Sequence, residues 1–192
     1  MLLIDFMIIS FIIGFLRKGN LKGLSEIPLR RLEIIFASFI IRYMPLFLKG
    51  SLKEFASNHI IAISIISYTL LLCGLFSNWH IKPLRPVAIG VFLNFLVIVA
   101  NGGKMPVSLW AVDAAGLQDY KADLFNPDYL YHTALTPSTR LAILGDIIPL
   151  PRPYPNPRVF SIGDLLMAAG VFILIQEAML KKMSSSGKIK GR

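Results

Sequence analysis

Apolar residues run almost without interruption through five stretches of the chain, and charged residues gather between them. The stretches span about residues 1–16, 32–48, 59–76, 86–101 and 162–180. A bilayer core of about 30 Å needs roughly 20 helical residues, or about 17 when flanking groups snorkel. The pattern therefore predicts an all-α integral membrane protein with about five transmembrane helices. The first and fourth stretches hold only about 15 residues, or roughly 22 Å of helix, so they must snorkel or thin the bilayer. Residues 102–160 lie between the fourth and fifth spans and read as an irregular outer segment. Residues 1–180 thus form a single bundle, and 181–192 a basic cytoplasmic tail.

Composition excludes the alternatives. Of 192 residues, 55% are hydrophobic and 16% charged, against about 25% charged in a soluble domain. The mean hydropathy is +0.64, too apolar for a soluble chain of this length to hide in a core. The single cysteine, Cys73, excludes an internal disulfide framework. The first stretch has no basic region before it and carries Asp5, so it reads as an uncleaved anchor rather than a signal peptide.

A net charge of +9 would suggest nucleic acid on a soluble protein. Its distribution says otherwise. Arg17, Lys18, Lys22, Arg30 and Arg31 follow the first span, Lys82 and Arg85 follow the third, and Lys181, Lys182, Lys188, Lys190 and Arg192 follow the fifth. With five spans, these cations share one side. On the other side lie Lys49 and Lys53 in a short loop between the second and third spans, and residues 102–160, which balance five cations against five aspartates. The positive-inside rule then sets the N-terminus outside and the C-terminus in the cytoplasm. The expected partners are the bilayer, anionic lipids near the basic loops and tail, and a membrane protein; nucleic acid is excluded.

The outer segment holds Trp110, Tyr120, Tyr129, Tyr131 and Tyr154, five of the chain's eight Trp and Tyr residues. Such side chains favour headgroups. Ser108 is placed to cap a short helix reaching about Leu117. Residues 140–148 are too short to span and suit an interfacial helix, a re-entrant turn or a lid. Pro149, Pro151, Pro153, Pro155 and Pro157 alternate along what reads as an extended, polyproline-like connector.

Polar residues inside apolar sequence mark the candidate chemistry. Arg42 is the costliest, since an arginine near a helix centre costs about 2.5–3.5 kcal/mol on insertion scales. Depth matching points to Asp5 or Asp164 as its partner. Gly90, Asn94 and Asn101 share one face of the fourth span, and Ser10 and Gly14 one face of the first, as helix contacts require. The Asn101-Gly102-Gly103-Lys104 turn reads either as a tight turn with a snorkelling lysine or as a backbone nest for an anion. Ser161 and Asp164 can cap the fifth span, whereas Asp146 lacks such a reason and is the preferred functional carboxylate. Arg42, Asn94, Asn101, Lys104, Asp146 and Asp164 are therefore the expected lining of a ligand site.

No catalytic motif, metal-ligand spacing or cofactor fingerprint is present in the sequence. The first expectation is a non-enzymatic binding, sensing or accessory module with its site at the outer face. A membrane enzyme acting on a lipid-linked or phosphate-bearing substrate is the second. It would use Lys104 and Arg140 to hold the anion, with Asp146 or His132 as acid or base. A small-solute pathway around Arg42 and Asn94 is the third.

The NGG-K-MPV stretch from Asn101 to Val107, Leu144-Gly145-Asp146 with its following prolines, and Ser161-Ile162-Gly163-Asp164 resemble a family of small bacterial multi-pass membrane proteins classed as a domain of unknown function. The resemblance implies a bacterial cytoplasmic-membrane protein of this five-span plan and carries over no substrate, cofactor or catalytic residue.

Overall fold

The computed structural model describes residues 2–181; the basic tail expected beyond them lies outside the described residues. Each apolar stretch is helical: α1 (Leu2–Leu16), then a single turn α2 (Lys22–Ser25), and α3 (Leu32–Tyr43), which tightens into a 3-10 turn at Met44–Phe47. A helix not anticipated, α4 (Gly50–Asn58), fills what the sequence suggested was a short loop; α5 (Ile60–Ser77) and α6 (Leu84–Ala100) follow. Pro45 is tolerated because it enters at the start of the 3-10 turn, where its missing N–H has no partner to lose.

Residues 102–160 are more ordered than an irregular segment. They contain β1 (Met105–Val107), α7 (Leu109–Ala114), α8 (Tyr120–Phe125), β2 (His132–Ala134), a 3-10 turn at Ala142–Leu144, β3 (Ile148–Leu150) and β4 (Arg158–Phe160). The chain then enters α9 (Ile162–Leu180). The two strand pairs and the 3-10 turn account for the stretches that helical periodicity left unassigned.

The five long helices pack in one row, in the order α1, α9, α6, α5, α3. At the α1–α9 contact Ser10 Oγ donates to the Phe172 carbonyl (3.0 Å), and Gln176 Nε2 donates back to Ser10 Oγ (3.1 Å). Gly90 and Gly163 bring α6 and α9 together so closely that a Cβ on Gly163 would stand 2.1 Å from Asn94 Oδ1. Leu72, Leu75, Leu84, Val87, Ala88 and Val91 form the core between α5, α6 and α9. Large apolar side chains such as Ile8, Ile12, Phe36, Ile40 and Ile66 remain exposed on the outside of the row. α5 and α9 are long and apolar enough to cross a membrane, while α1 and α6 are shorter apolar helices.

The helices of the row terminate on two faces, and these two ends differ. At one end Asn20 N donates to the Met179 carbonyl (3.0 Å), Arg30 N to Asn78 Oδ1 (2.7 Å), and Lys181 pairs with Glu26 at 3.6 Å. The basic loops therefore meet there. At the other end sits the 102–160 segment, with a small core of its own made by Val107, Val112, Leu124 and Ala134.

Within that segment β1 is central. It pairs in parallel with β2, Met105 opposite His132 and Val107 opposite Ala134, while Val107 bridges Asp146 on its other edge. Asp146 N donates to the Pro106 carbonyl (2.9 Å), on the edge where Pro106 has no N–H to offer. The alternating prolines form a hairpin rather than an extended connector: β3 and β4 are antiparallel, with Pro149 opposite Val159. Only Pro149 lies within a strand, flanked by residues that keep their N–H groups, while Pro151, Pro153, Pro155 and Pro157 lie in the connection between β3 and β4.

Candidate functional site

Two cavities adjoin the β1–β2 pair, and His132 lines both. The first, about 270 Å³, is lined by Val107, Leu117, Tyr120, His132, Asp146, Arg158 and Val159. The second, about 310 Å³, is lined by Leu46, Lys53, Asp128, Tyr129, Leu130, Tyr131 and His132.

In the first cavity β2 supplies His132 and the strand-like residue Asp146 the carboxylate, from opposite flanks of β1. His132 Nε2 stands 3.9 Å from Asp146 Oδ2, too far for a hydrogen bond. Burial pushes the Asp146 carboxyl well above the usual carboxylate range, and the nearby Asp164 charge adds to this. Burial also lowers His132 to about 4, assisted by the positive charge of Arg42. About a third of the imidazole remains exposed, yet its Nδ1 is sealed from solvent. At neutral pH His132 is therefore a neutral imidazole, and the same burial favours the uncharged form of the Asp146 carboxyl beside it. Asp146 Oδ1 and His132 Nδ1 are both buried without a hydrogen-bond partner, a condition that costs roughly 1–3 kcal/mol per group unless something else satisfies it.

The wall opposite is amphipathic. Tyr129 donates its hydroxyl proton to the Tyr120 oxygen at 3.4 Å, leaving the Tyr120 proton for another acceptor. Burial raises the Tyr120 hydroxyl above its ordinary range. Arg158 pairs with Asp5 at 2.8 Å, tying β4 to the first turn of α1. Asp5 is therefore the partner of Arg158 and not of Arg42.

Nor is Asp164 the partner of Arg42. Asp164 closes a capping box with Ser161 and accepts from Asn94 Nδ2 (3.0 Å), while Ser161 Oγ donates to Asn94 Oδ1 (2.9 Å). The reason is the helix order: α1 and α3 are the first and last helices of the row, and α5 and α6 separate α3 from α9. Arg42 instead donates to Ser64 Oγ (2.6 Å), which donates to the Gly103 carbonyl (3.0 Å). Its guanidinium lies 4.1 Å from the Tyr131 ring centre and 5.5 Å from that of Tyr68. The Tyr131 hydroxyl donates to the Arg42 carbonyl. Among the described residues no carboxylate reaches Arg42 within ion-pair distance.

The other expected site residues serve the frame. Asn101 Nδ2 donates to the Arg140 carbonyl (2.8 Å) and Asn101 Oδ1 accepts from Arg140 N (3.0 Å), clamping that stretch onto the end of α6. The Arg140 side chain is exposed. Gly103, at a φ of +89°, donates its N–H to the Ile98 carbonyl (2.8 Å), which spends this amide on ending α6 and removes it from an anion nest. A Cβ here would lie 2.7 Å from the Ile61 backbone. Lys104 Nζ donates to the Pro127 carbonyl (2.7 Å). The 3-10 turn at Ala142–Leu144 sets Leu144 against Val97, Ile98 and Met105, so residues 140–148 form neither an interfacial nor a re-entrant helix.

Asp146 and His132 therefore meet, while Asn94 and Asp164 form a separate, internally satisfied pair. Lys104 and Arg140 do not converge on the cavity. Tyr120 and Arg158 were missed. The signal for Arg158 was present: it is the cation nearest the start of α9, as Asp5 is the lone acid of α1.

A family model described as a family of unknown function, DUF5317, matches residues 26–176. The chain belongs to DUF5317. The match runs from the loop before α3 into α9 and includes both cavities, so the residues that build them lie within the family's own extent. A protein of Thermotoga maritima described as uncharacterized is 29% identical over 173 residues, covering 90% of this chain and 89% of that one. No solved structure matches.

Proposed function

We propose that this DUF5317 protein is a five-span protein of the bacterial cytoplasmic membrane. On this reading its 102–160 segment lies at the outer face and the His132–Asp146 cavity is the seat of a non-enzymatic binding, sensing or accessory module. The membrane reading is supported by the exposed apolar faces of α1, α3 and α5, and by the basic loops gathered at the end of the row remote from the 102–160 segment. One observation carries the binding reading. Two buried polar atoms, Asp146 Oδ1 and His132 Nδ1, lack partners beside a cavity of about 270 Å³. The acid–base alternative needs Lys104 and Arg140 at the same cavity, and both are engaged or exposed elsewhere.

Reporter fusions test the placement. A reporter fused after Arg192 is expected to be active only in the cytoplasm, and one inserted between Thr136 and Ser138 only outside; the reverse pattern overturns the orientation. Val159→Phe tests the cavity, because the ring fills space that Val159 now borders. Mass spectrometry of gently purified parent protein should show a small molecule at least tenfold depleted in Val159→Phe. Identical small-molecule content in the two preparations overturns the binding reading.

A further inference from the structure

The second cavity differs in kind from the first. It lies between the elbow formed by the Met44–Phe47 turn with α4 and the chain leading into β2. Lys53 stands on its rim, and among the described residues no carboxylate pairs with it. Tyr131 forms part of its wall, and the unpaired Arg42 guanidinium lies 4.1 Å behind that ring. The cavity's one carboxylate, Asp128, is offset by Lys104, which is held beside it on the Pro127 carbonyl and feels its charge. Three cations, Lys53, Lys104 and Arg42, thus stand around a single lining carboxylate.

The surface beside it is apolar. Phe47 is 82% exposed, and Leu46, Leu52 and Phe55 are each more than half exposed. Leu46 belongs to both the cavity and this patch. An electropositive pocket joined to exposed aromatic and aliphatic side chains matches a ligand with a phosphate at one end and hydrocarbon at the other. A free phosphate would leave the apolar elbow without a role.

We propose that this cavity binds the phosphate of an anionic membrane phospholipid, with Lys53 contacting the headgroup, Arg42 supplying positive potential through Tyr131, and the acyl chains lying along the elbow. The proposal rests on the membrane reading above and concerns the second cavity, which shares only His132 with the ligand site assigned there. A tyrosine-backed arginine also explains how Arg42 is retained without a carboxylate: two ring faces and Ser64 hold it in the free protein, and the lipid phosphate compensates its charge.

The test uses the full chain in mild detergent, titrated with dioctanoyl-phosphatidylglycerol and followed by native mass spectrometry. Dioctanoylglycerol, which lacks phosphate, is expected to bind at least tenfold more weakly. Lys53→Gln, a change at an exposed position, is expected to weaken phosphatidylglycerol binding at least threefold. Inorganic phosphate at the same concentration is expected not to compete. Equal binding of dioctanoylglycerol, or unchanged affinity in Lys53→Gln, overturns the proposal. Competition by equimolar inorganic phosphate overturns the lipid as the source of the anion. A failure of the membrane reading shows separately, as release of the chain from membranes by an alkaline carbonate wash.

Discussion

Gly163→Ala is expected to lower the thermal transition of the detergent-solubilised protein by about 5–10 °C and to cut the yield of monodisperse material. Gly163 lies in the first turn of α9, where the added Cβ would come within 2.1 Å of Asn94 Oδ1 and 2.6 Å of the Gly90 carbonyl. Neither neighbour can yield cheaply. The Gly90 carbonyl is part of the α6 backbone, and Asn94 is fixed by hydrogen bonds to Ser161 and Asp164. Overpacking of this kind costs about 1–3 kcal/mol, and each lost hydrogen bond of the Asn94 cluster about 0.5–1.5 kcal/mol more. For a chain of this size each kcal/mol moves the midpoint by roughly 2–4 °C. Leu165→Ala, on the exposed side of the same helix turn, provides the control and should shift the midpoint far less. Adding Asn94→Ala to Gly163→Ala should recover only part of the loss, because the Gly90 carbonyl still obstructs the Cβ. A Gly163→Ala midpoint within a degree of the parent means the helices separate without cost, and the close α6–α9 crossing does not organise the fold.

The helices were legible because a run of apolar residues bounded by charge, glycine or proline has few other solutions. The contact faces were legible for the same reason: Ser10 with Gly14 and Gly90 with Asn94 recur at helical spacing, and both sets meet α9. The Arg42 partner was not legible. Depth along a helix constrains which residues share a level, but lateral order decides which can touch, and nothing in the sequence states that α9 enters between α1 and α6. The hairpin at 148–160 was not legible because four of the five prolines lie in its connection, where a turn and an extended polyproline arm share the same proline-rich sequence. In the candidate site Asp146 stood out as a carboxylate without a local reason, and its backbone bridge to Val107 on β1 is what places it near His132. Tyr120 read as one of the headgroup aromatics and Arg158 as one of the five cations balanced by aspartates; only the fold gives them a common cavity.

Acidification should separate the two central groups of that cavity, because their contributions to stability run in opposite directions. His132 titrates at about 4 in the folded protein against an ordinary value of 6.5. Its contribution is present above pH 6.5 and is lost as the pH falls toward 4, since unfolding then takes up a proton that the folded imidazole refuses. Asp146 is raised well above its ordinary 3.8, so its contribution is present below pH 3.8 and is lost as the pH rises through its folded value. Asp146→Asn keeps a neutral group of the same shape and removes the second effect; its melting temperature should fall steadily from pH 7 to pH 4. His132→Gln removes the first effect, and its melting temperature should rise over the same interval. The parent, with both, should have a flatter profile than either variant. Scanning fluorimetry across pH 4–7 in one detergent reads all three slopes, while Arg42 and Asp164, the charges acting on this pair, are common to every protein compared. Parallel slopes in the two variants would mean that the pair does not control the pH response and that other carboxylates dominate it. Opposed slopes would identify a cavity whose burial disfavours the charged form of both polar walls, raising the Asp146 carboxyl and lowering the His132 imidazole.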